Sequence, residues 1–251
     1  STIARTAATL REISPRRFRF GLKFPTLESS KGFPLVKSKR DFFYDVATLL
    51  RRIWLGERVS YNKNGILLRN YYGRYGLNLQ IPLYFSMVEA DLLKLATEIV
   101  DGVIVRGPKS YLRKIDGIVR KGLARRRKPV TRFRNIAWLP TFVFGRNFHL
   151  KLLKLTAAKT IRDIPTSILE MVDLDAEDRM KIKRIASQER VEKALPLVND
   201  RIIDEFILHG TLSEICEQLN SMKRYAVDEV ILGPPYGLDA KEALVRIGKL
   251  W

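Results

Sequence analysis

The stretch YFSMVEADLLKLATEIVDGVIVRG, residues 84–107, reads as a strand, a turn, a helix and a second strand. Many phosphate-binding sites have this layout, with glycines in the turn and the anion at the helix N-terminus. Here the turn SMVEAD, residues 86–91, has no glycine and carries Glu89 and Asp91. Carboxylates at this place stabilise the helix dipole and oppose a phosphate. We therefore expect a scaffold without a bound cofactor.

The other residues of catalytic type are His149, His209 and Cys216. His149 lies on a basic amphipathic helix and His209 at a helix boundary, and neither has a serine or carboxylate constellation within sequence reach. Cys216 falls on the apolar face of a predicted helix, which is typical of a buried core thiol. Two histidines and one cysteine are a poor zinc set, and no Walker or Gly-x-Gly-x-x-Gly motif occurs. We expect no metal and no catalytic residue.

A run of cations over residues 106–134 holds twelve basic side chains and one acidic side chain, Asp116. Like charges at helical spacing repel by roughly 0.2–0.5 kcal/mol per pair, so the run needs counterions. The phosphates of a nucleic acid would supply them, and residues 125–128 read as a loop tip able to enter a groove. An ordinary basic surface is the alternative.

Further basic clusters precede this run, and the loop YYGRYG at residues 71–76 combines tyrosine faces with a cation, as base-stacking loops do. A plain turn with tyrosines packed against the protein is the alternative for that loop. The nucleic-acid contacts predicted from these patterns are Arg16, Arg17, Arg19, Lys37, Lys39, Arg40, Tyr72, Arg74, Arg106, Lys109, Arg113, Lys114, Arg120, Lys121, Arg125, Arg126, Arg127, Lys128, Arg132 and Arg134.

The composition supports a polyanionic partner. The chain has 251 residues, of which 46% are hydrophobic, which is enough for one substantial core. Its formal net charge is +19, from 46 Lys and Arg against 27 Asp and Glu. Residues 1–162 hold 34 basic and ten acidic side chains, so the positive charge is regional.

Cysteine usage and hydropathy indicate the compartment. Cys216 is the sole cysteine, which excludes an internal disulfide and suits a reducing cytosol. No apolar stretch reaches the length of a membrane span, and the first residues, STIARTAATLREI, are too polar for a signal peptide. We expect a cytoplasmic protein that makes no membrane contact.

Hydrophobic periodicity predicts a parallel α/β sheet followed, after residue 146, by a mostly helical segment. Strands are predicted over residues 18–24, 81–85, 102–106, 133–144 and 227–233, and helices over residues 38–55, 89–99, 110–125, 211–225 and 239–250. Asn62-Lys63-Asn64-Gly65 predicts a hairpin, and the spacing of Thr211 and Glu214 predicts a capping box.

The chain resembles the bacterial-luciferase-like flavin and deazaflavin oxidoreductases, most closely their methylene-tetrahydromethanopterin reductase branch. The segments that carry the resemblance, in order, are GERVSYNKNGILLRN, IPLYF, LLKLATEIVDGVIV, NDRIIDEFILHGTLSEICEQL and VDEVILGPPYGLDAKEAL. The resemblance implies a (β/α)8 barrel with its active site at the C-terminal ends of the strands. Roughly three of the eight strands have no counterpart here. We expect an incomplete TIM-barrel-like fold that lacks the N-terminal strands, with a helical insertion before the last strand.

This fold is expected to form one domain over residues 1–251, with a basic α/β part (1–145), a helical segment (146–226) and a last strand and helix (227–251). An unclosed barrel exposes strand edges, which a second copy or a large partner would cover. Family members have glycine-rich cofactor turns where this chain has Lys23-Phe24-Pro25 and SMVEAD. The turn GPPYG at residues 233–237 is retained, although packing of the last strand on its helix would also require it.

Two functions follow from these observations. The first is a non-catalytic, RNA-binding structural protein, a component of an archaeal ribosome that contacts rRNA and neighbouring ribosomal proteins. The alternative is a flavin- or deazaflavin-dependent oxidoreductase, and a regulatory subunit paired with a complete paralogue is a third reading. The missing strands and SMVEAD favour the first, so we expect a ribonucleoprotein component rather than an enzyme.

Overall fold

The computed structural model describes residues 2–15, 17–23, 39–73, 79–126, 132–144, 150–188, 190–237 and 240–248. The chain divides into two compact units. The first consists of Ser1–Met87, Asp91–Ile104 and Lys121–Phe133, and the second of Val88–Ala90, Val105–Arg120 and Arg134–Trp251. The expectation of one domain over residues 1–251 stays a prediction.

The first unit alternates helices and strands. Its elements are α1 (Thr2–Ile13), β1 (Phe20–Lys23), α2 (Lys39–Trp54), β2 (Val59–Lys63), β3 (Ile66–Tyr71), β4 (Leu83–Met87), α3 (Ala90–Ile99, from Asp91 in this unit) and β5 (Gly102–Arg106, to Ile104 in this unit). β1 pairs in parallel with β4, from Phe20 opposite Leu83 to Lys23 opposite Ser86. β2 and β3 form the predicted antiparallel hairpin, and Asn64 and Gly65 of its turn have positive φ angles of 49° and 74°.

Trp54, the last residue of α2, contacts both α1 and β1 within the first unit. Its side chain is fully buried, its Nε1 donates a hydrogen bond to Ala4 O at 3.1 Å, and its ring meets Phe20 edge-on at 5.8 Å. Ala4, Ala7 and Ala8 are also buried, because small side chains let the helix backbone approach closely. The apolar face of α2 therefore packs against α1 and β1.

Two arginines hold the C-terminal end of α3. Arg51 donates to Ile99 O at 2.6 Å and to Asp101 Oδ1 at 3.0 Å, while Asp101 Oδ2 accepts from Leu83 N at 2.9 Å. Arg126 donates to Thr97 O at 2.9 Å and to Val100 O at 2.5 Å. The last carbonyls of a helix have no partner within the helix, so these guanidinium groups satisfy them.

The second unit contains the rest of the elements. They are α4 (Lys109–Leu123, to Arg120 in this unit), β6 (Arg134–Val143), α5 (Leu150–Asp163), α6 (Thr166–Leu169), α7 (Ala176–Gln188), a 3-10 helix (Val191–Leu197), α8 (Asp200–Phe206), β7 (Leu208–Gly210), α9 (Leu212–Met222), a 3-10 helix (Lys223–Tyr225), β8 (Glu229–Tyr236) and α10 (Ala240–Gly248). Within the described residues, hydrogen-bonded neighbours follow the strand order β1-β4-β5-β6-β7, and β8 also pairs with β6.

Most predicted elements are confirmed within one to three residues, including the capping box of Thr211 and Glu214 at the start of α9. β4 starts at Leu83 rather than at residue 81, because Pro82 has no N–H to give to a ladder. β7 was not predicted, since three residues are too short to show a period of two. No helix in the described part of the chain is both long and apolar enough to cross a membrane.

Gly122 of α4 lies where a side chain would collide with α3. A Cβ at this position would lie 1.8 Å from Thr97 Oγ1 and 2.6 Å from Lys94 O, and the backbone oxygen cannot rotate away. We expect Gly122→Ala to lower the free energy of unfolding by about 1–3 kcal/mol, measured by urea denaturation.

Gly117 on the same helix provides the matched control. A Cβ there meets no described atom within 4 Å, so Gly117→Ala should raise the free energy of unfolding by roughly 0.5–1 kcal/mol through helix propensity. Equal changes in the free energy of unfolding for the two substitutions would contradict the close contact of Gly122 with α3.

Candidate active site at the strand carboxyl ends

Three elements of the second unit end at one place. Arg106 is the last residue of β5, Phe144 follows β6, and His209 lies in β7. Phe142 of β6 is paired with His209 of β7, and Phe144 N donates to Gly210 O at 2.7 Å. Because the carboxyl ends of parallel strands share an edge, polar groups from distant parts of the sequence meet here. We call Arg106, Lys109, Ser110, Glu205 and His209 the strand-end cluster.

Arg106 lies against an aromatic surface. Its guanidinium carbon is 4.5 Å from the centroid of the Trp138 ring, a cation–π contact. A Cβ on Gly233 of β8 would lie 2.3 Å from Trp138 Cζ2, so only glycine leaves room for the indole. The retained glycine at the start of GPPYG is thus explained by packing. Burial lowers the pKa of Arg106 below its ordinary value, and the Asp163 carboxylate opposes this shift.

Lys109, the first residue of α4, is tied to α9. Its Nζ donates to Gln218 Oε1 at 3.0 Å, and Gln218 Nε2 donates to His209 O at 2.7 Å. Both ends of the Gln218 amide are therefore used, which fixes its orientation. This chain of hydrogen bonds connects the N-terminus of α4 to β7.

Glu205 of α8 caps the N-terminus of α4. Its Oε1 accepts a hydrogen bond from Ser110 N at 2.6 Å, so a carboxylate already occupies the positive end of this helix. Ser110 is 7% exposed, yet its Oγ has no hydrogen-bond partner among the described atoms. A buried hydroxyl without a partner costs about 1–3 kcal/mol. Four other buried polar atoms of this unit, Arg106 Nε, Asn135 Oδ1, Arg179 Nε and His209 Nδ1, likewise lack a described partner.

His209 forms a pair with Asp204 of α8. His209 Nε2 lies 2.7 Å from Asp204 Oδ1, so Nε2 carries the proton and donates it to the carboxylate. Nδ1 is buried and has no partner within the described structure. The ring lies 5.8 Å from that of Phe144 at an angle of 38°. An imidazole held in one tautomer, with its other nitrogen available, can accept or donate a proton.

The turn after β7 positions this histidine. Gly210 has φ of +130°, and a Cβ there would lie 2.6 Å from Glu214 Oε2, so glycine is required. Thr211 then caps α9, and its backbone and hydroxyl hydrogen bonds lower the pKa of Glu214. The sequence signal that could have identified the site is this sharp Gly-Thr turn directly after His209. We interpreted it only as a helix start.

The turn between β4 and α3 is a poor anion site. Asp91 lies in the first turn of α3, and Val88 O accepts a hydrogen bond from the Tyr111 hydroxyl at 2.8 Å. Burial raises the pKa of Tyr111 above its ordinary value. A Cβ on Gly107 would lie 2.8 Å from Tyr111 Cδ1, so the glycine after β5 makes room for this ring. The acidic helix start predicted at residues 89–91 is confirmed for Asp91.

Several cations of the 106–134 run find partners inside the protein. Arg106 and Lys109 belong to the strand-end cluster, Arg126 binds the carbonyls at the end of α3, and Lys114 Nζ donates to Met171 O at 2.8 Å. Arg113 lies over Tyr225 at 5.4 Å, Arg120 pairs with Asp116 at 2.8 Å, and Arg134 pairs with Glu229 at 3.5 Å. At least seven of the twelve cations therefore have carbonyls, rings or carboxylates of the protein as partners, and contact of the run with a polyanion stays a prediction.

The other predicted contacts are scattered. Arg40 pairs with Glu98 at 3.4 Å, Arg19 lies 5.9 Å from the Tyr84 ring, and the Tyr72 ring lies 5.0 Å from Arg58. Exposed positions are held by Arg17, Lys121, Arg125 and Arg132. Outside the described residues lie Arg16, Lys37, Arg74, Arg127, Lys128 and His149, together with the side chain of Lys39. Nucleic-acid contact by these residues stays a prediction from sequence.

Comparison with known proteins identifies the family. The model of the luciferase-like monooxygenase family matches residues 1–229. The chain belongs to this family. A 5,10-methylenetetrahydromethanopterin reductase from Archaeoglobus fulgidus is 26% identical over 214 residues, 82% of this chain and 63% of that protein. The reductase of the same name from Methanopyrus kandleri is 23% identical over 173 residues, 67% of this chain and 49% of that protein. The chain thus spans less than two thirds of these relatives.

Two solved structures have the same fold as this chain. The coenzyme F420-dependent tetrahydromethanopterin reductase of Methanopyrus kandleri has a TM-score of 0.82 at 18% identity, over 99% of this chain and 78% of that one. An F420-dependent secondary alcohol dehydrogenase, solved with an F420–acetone adduct, has a TM-score of 0.69 at 17% identity, over 98% and 73%. The predicted partial TIM-barrel-like α/β fold is confirmed.

These findings overturn the predicted function. The matching relatives and neighbours are reductases, a dehydrogenase and monooxygenases, so the interpretation as a non-catalytic ribosomal, rRNA-binding protein is wrong. The expectation that the chain is no enzyme fails with it. The net positive charge was a poor guide to function, because a count of cations does not show which of them have partners inside the folded protein.

Lys109 provides a test of the strand-end cluster. Burial lowers its pKa to about 8 from the ordinary 10.5, although the carboxylates of Asp204 and Glu205 oppose the shift. The unfolded chain therefore binds this proton more tightly, so the contribution of Lys109 to stability rises with pH between these two values and is constant below the lower one.

Lys109→Met removes this titration. We expect the free energy of unfolding of the wild type to increase relative to the variant as pH rises from about 8 to about 10.5, measured by urea denaturation at both ends. A difference between the two proteins that did not change with pH would show that Lys109 titrates as an exposed lysine.

Proposed function

We propose that this protein is a flavin- or deazaflavin-dependent oxidoreductase that transfers hydride between its cofactor and an organic substrate. The observation that carries the proposal is the family match over residues 1–229. Two of the relatives are methylenetetrahydromethanopterin reductases, so a reduced-pterin substrate and coenzyme F420 are the first pair to test. We also propose that the protein acts in the cytoplasm, which fits its cysteine usage.

A flavin or deazaflavin cofactor fits the strand-end cluster better than it fits the turn between β4 and α3. The turn between β4 and α3 carries Asp91 at the helix start, which opposes a phosphate. The strand-end cluster instead has buried polar atoms without described partners, Arg106 Nε, Ser110 Oγ and His209 Nδ1. Arg106 Nε and Ser110 Oγ can donate to the polar groups of a flavin or deazaflavin, and His209 Nδ1 can accept from them. Trp138 adds an aromatic face beside Arg106. Such a cofactor supplies or accepts the hydride when it is bound.

His209 is the residue we assign to proton transfer. Reduction of an imine-like or carbonyl substrate consumes a proton as well as a hydride, so the site needs a group that can exchange one near neutral pH. Asp204 holds the His209 ring through Nε2 and directs Nδ1 away from the carboxylate. Phe144 packs beside the imidazole and limits its rotation. Asp204 is thus a positioning residue. His209 Nδ1, which carries no proton in this tautomer, would first take one from solvent and then pass it to the substrate.

The direct test is a spectroscopic assay of the purified full chain. With methylene-tetrahydromethanopterin and reduced F420, or with reduced FMN in a parallel arm, we expect stoichiometric oxidation of the cofactor that depends on the substrate. If neither cofactor binds in equilibrium dialysis and neither is oxidised above the rate without protein, the oxidoreductase proposal is wrong.

A His209→Gln substitution tests the assigned proton-transfer role. We expect turnover to fall by about 100-fold or more, because general acid–base groups contribute roughly 10²–10⁴ to the rate. Cofactor affinity should change much less. Glu217→Gln on the exposed face of α9 is the control, and its turnover should equal that of the wild type. Equal rates for His209→Gln and the control would remove His209 from the reaction.

A further inference from the structure

We propose that the N-terminus of α4, with Arg106, Lys109 and Ser110, is a site for an oxyanion of the ligand, a phosphate or a carboxylate. The proposal rests on the proposed function, since the ligand is taken to be the cofactor or substrate of the oxidoreductase. The resemblance to the family implies an anion at the turn after β4. The proposed site instead follows β5, one strand further along the sheet.

The first support is the set of donors that have no described partner. Ser110 is more than nine-tenths buried, and its Oγ lacks a hydrogen bond within the described structure. Arg106 Nε, four residues earlier, is likewise buried and unpaired among the described atoms. Native structures rarely leave buried donors unsatisfied, and an unbound ligand is one of the usual reasons. An oxyanion accepts from both kinds of group.

The second support is electrostatic. α4 is 15 residues long, so its first turn carries the positive end of a full helix dipole. Lys109 lies in that turn, and its lowered pKa, caused chiefly by burial, shows that its ammonium group is poorly solvated. A second anion beside Lys109 would stabilise the charged form. Both features favour an anionic ligand over a neutral one.

Glu205 places a carboxylate at this turn and would compete with an anionic ligand. Ser110 N donates to Glu205 Oε1 at 2.6 Å, so the geometry for accepting an oxyanion exists in the protein itself. Glu205 is half-buried and lies on α8. We infer that Glu205 holds the turn in the absence of ligand and competes with the ligand for Ser110 N. Its charge would then weaken binding.

The experiment measures binding to the full chain by isothermal titration calorimetry at constant ionic strength. The probes are F420, FMN, riboflavin and inorganic phosphate. FMN and riboflavin share the ring and differ in the phosphate, so we expect FMN to bind about tenfold or more tightly, the range of a charge-assisted hydrogen bond. Binding of inorganic phosphate alone, without a preference for FMN over riboflavin, would overturn the assignment of the site to the cofactor.

Substitutions at the N-terminus of α4 test whether the FMN phosphate binds there. Ser110→Ala and Arg106→Gln should each weaken FMN binding by about tenfold. Glu205→Gln should strengthen it severalfold, because the amide can still accept from Ser110 N and the competing charge is gone. A gain of affinity cannot arise from misfolding. The control is Arg120→Gln on the same helix, whose side chain is 77% exposed, and its affinity should be unchanged.

The outcomes separate this proposal from the proposed function. Substrate-dependent oxidation of F420 or FMN, with affinities that Ser110→Ala and Glu205→Gln leave unchanged, would overturn the oxyanion site and leave the oxidoreductase intact. Phosphate binding that requires Ser110 and Arg106, in a protein that oxidises neither cofactor, would support the site and overturn the reaction.

Discussion

The parallel pairing of β6 with its neighbours is the constraint on which the candidate site depends. β6 is paired in register with both β7 and β8, so Phe142 lies opposite His209 and Trp138 opposite Ile231. Parallel strands end at a common edge, and each is followed by a turn into a helix. This arrangement brings the end of β5, the start of α4 and the short β7 together, although more than a hundred residues separate Arg106 from His209.

Around that edge, the protein fixes some polar groups and leaves others without described partners. Gln218 uses both ends of its amide, Glu205 caps α4, and Asp204 holds His209. Ser110 Oγ, Arg106 Nε and His209 Nδ1 lack a described partner at this edge, and Asn135 Oδ1 and Arg179 Nε are further such atoms elsewhere in the described residues. Ligand recognition needs rigid groups beside donors and acceptors that have no partner in the protein, because the entropy cost of ordering these groups has been met during folding. The arrangement suits binding and proton transfer better than it suits core stability.

Local patterns predicted the elements, and long-range contacts decided the site. Periodicity was sufficient for α2, the β2–β3 hairpin and the capping box of α9, since each is specified by neighbouring residues. The Ser110–Glu205 and Lys109–Gln218 bonds join residues 95 and 109 positions apart, and no sequence spacing reports them. The His209–Asp204 pair has a different cause, since the two residues are only five positions apart. The sequence does not show that the chain turns between α8 and β7 and brings this carboxylate to the imidazole. Arg113 and Lys114 of α4 have partners far along the chain, the Tyr225 ring and Met171 O, and a count of cations cannot reveal such partners.

The central claim is that the strand-end cluster forms the active site of a luciferase-like oxidoreductase. The most direct measurement is a crystal structure of the full chain soaked with F420 or FMN at saturating concentration. The account predicts electron density for the ring beside Trp138 and His209, with an oxyanion of the cofactor within hydrogen-bond distance of Ser110 Oγ. Density for the cofactor at the turn between β4 and α3, with the strand-end cluster unchanged, would contradict it.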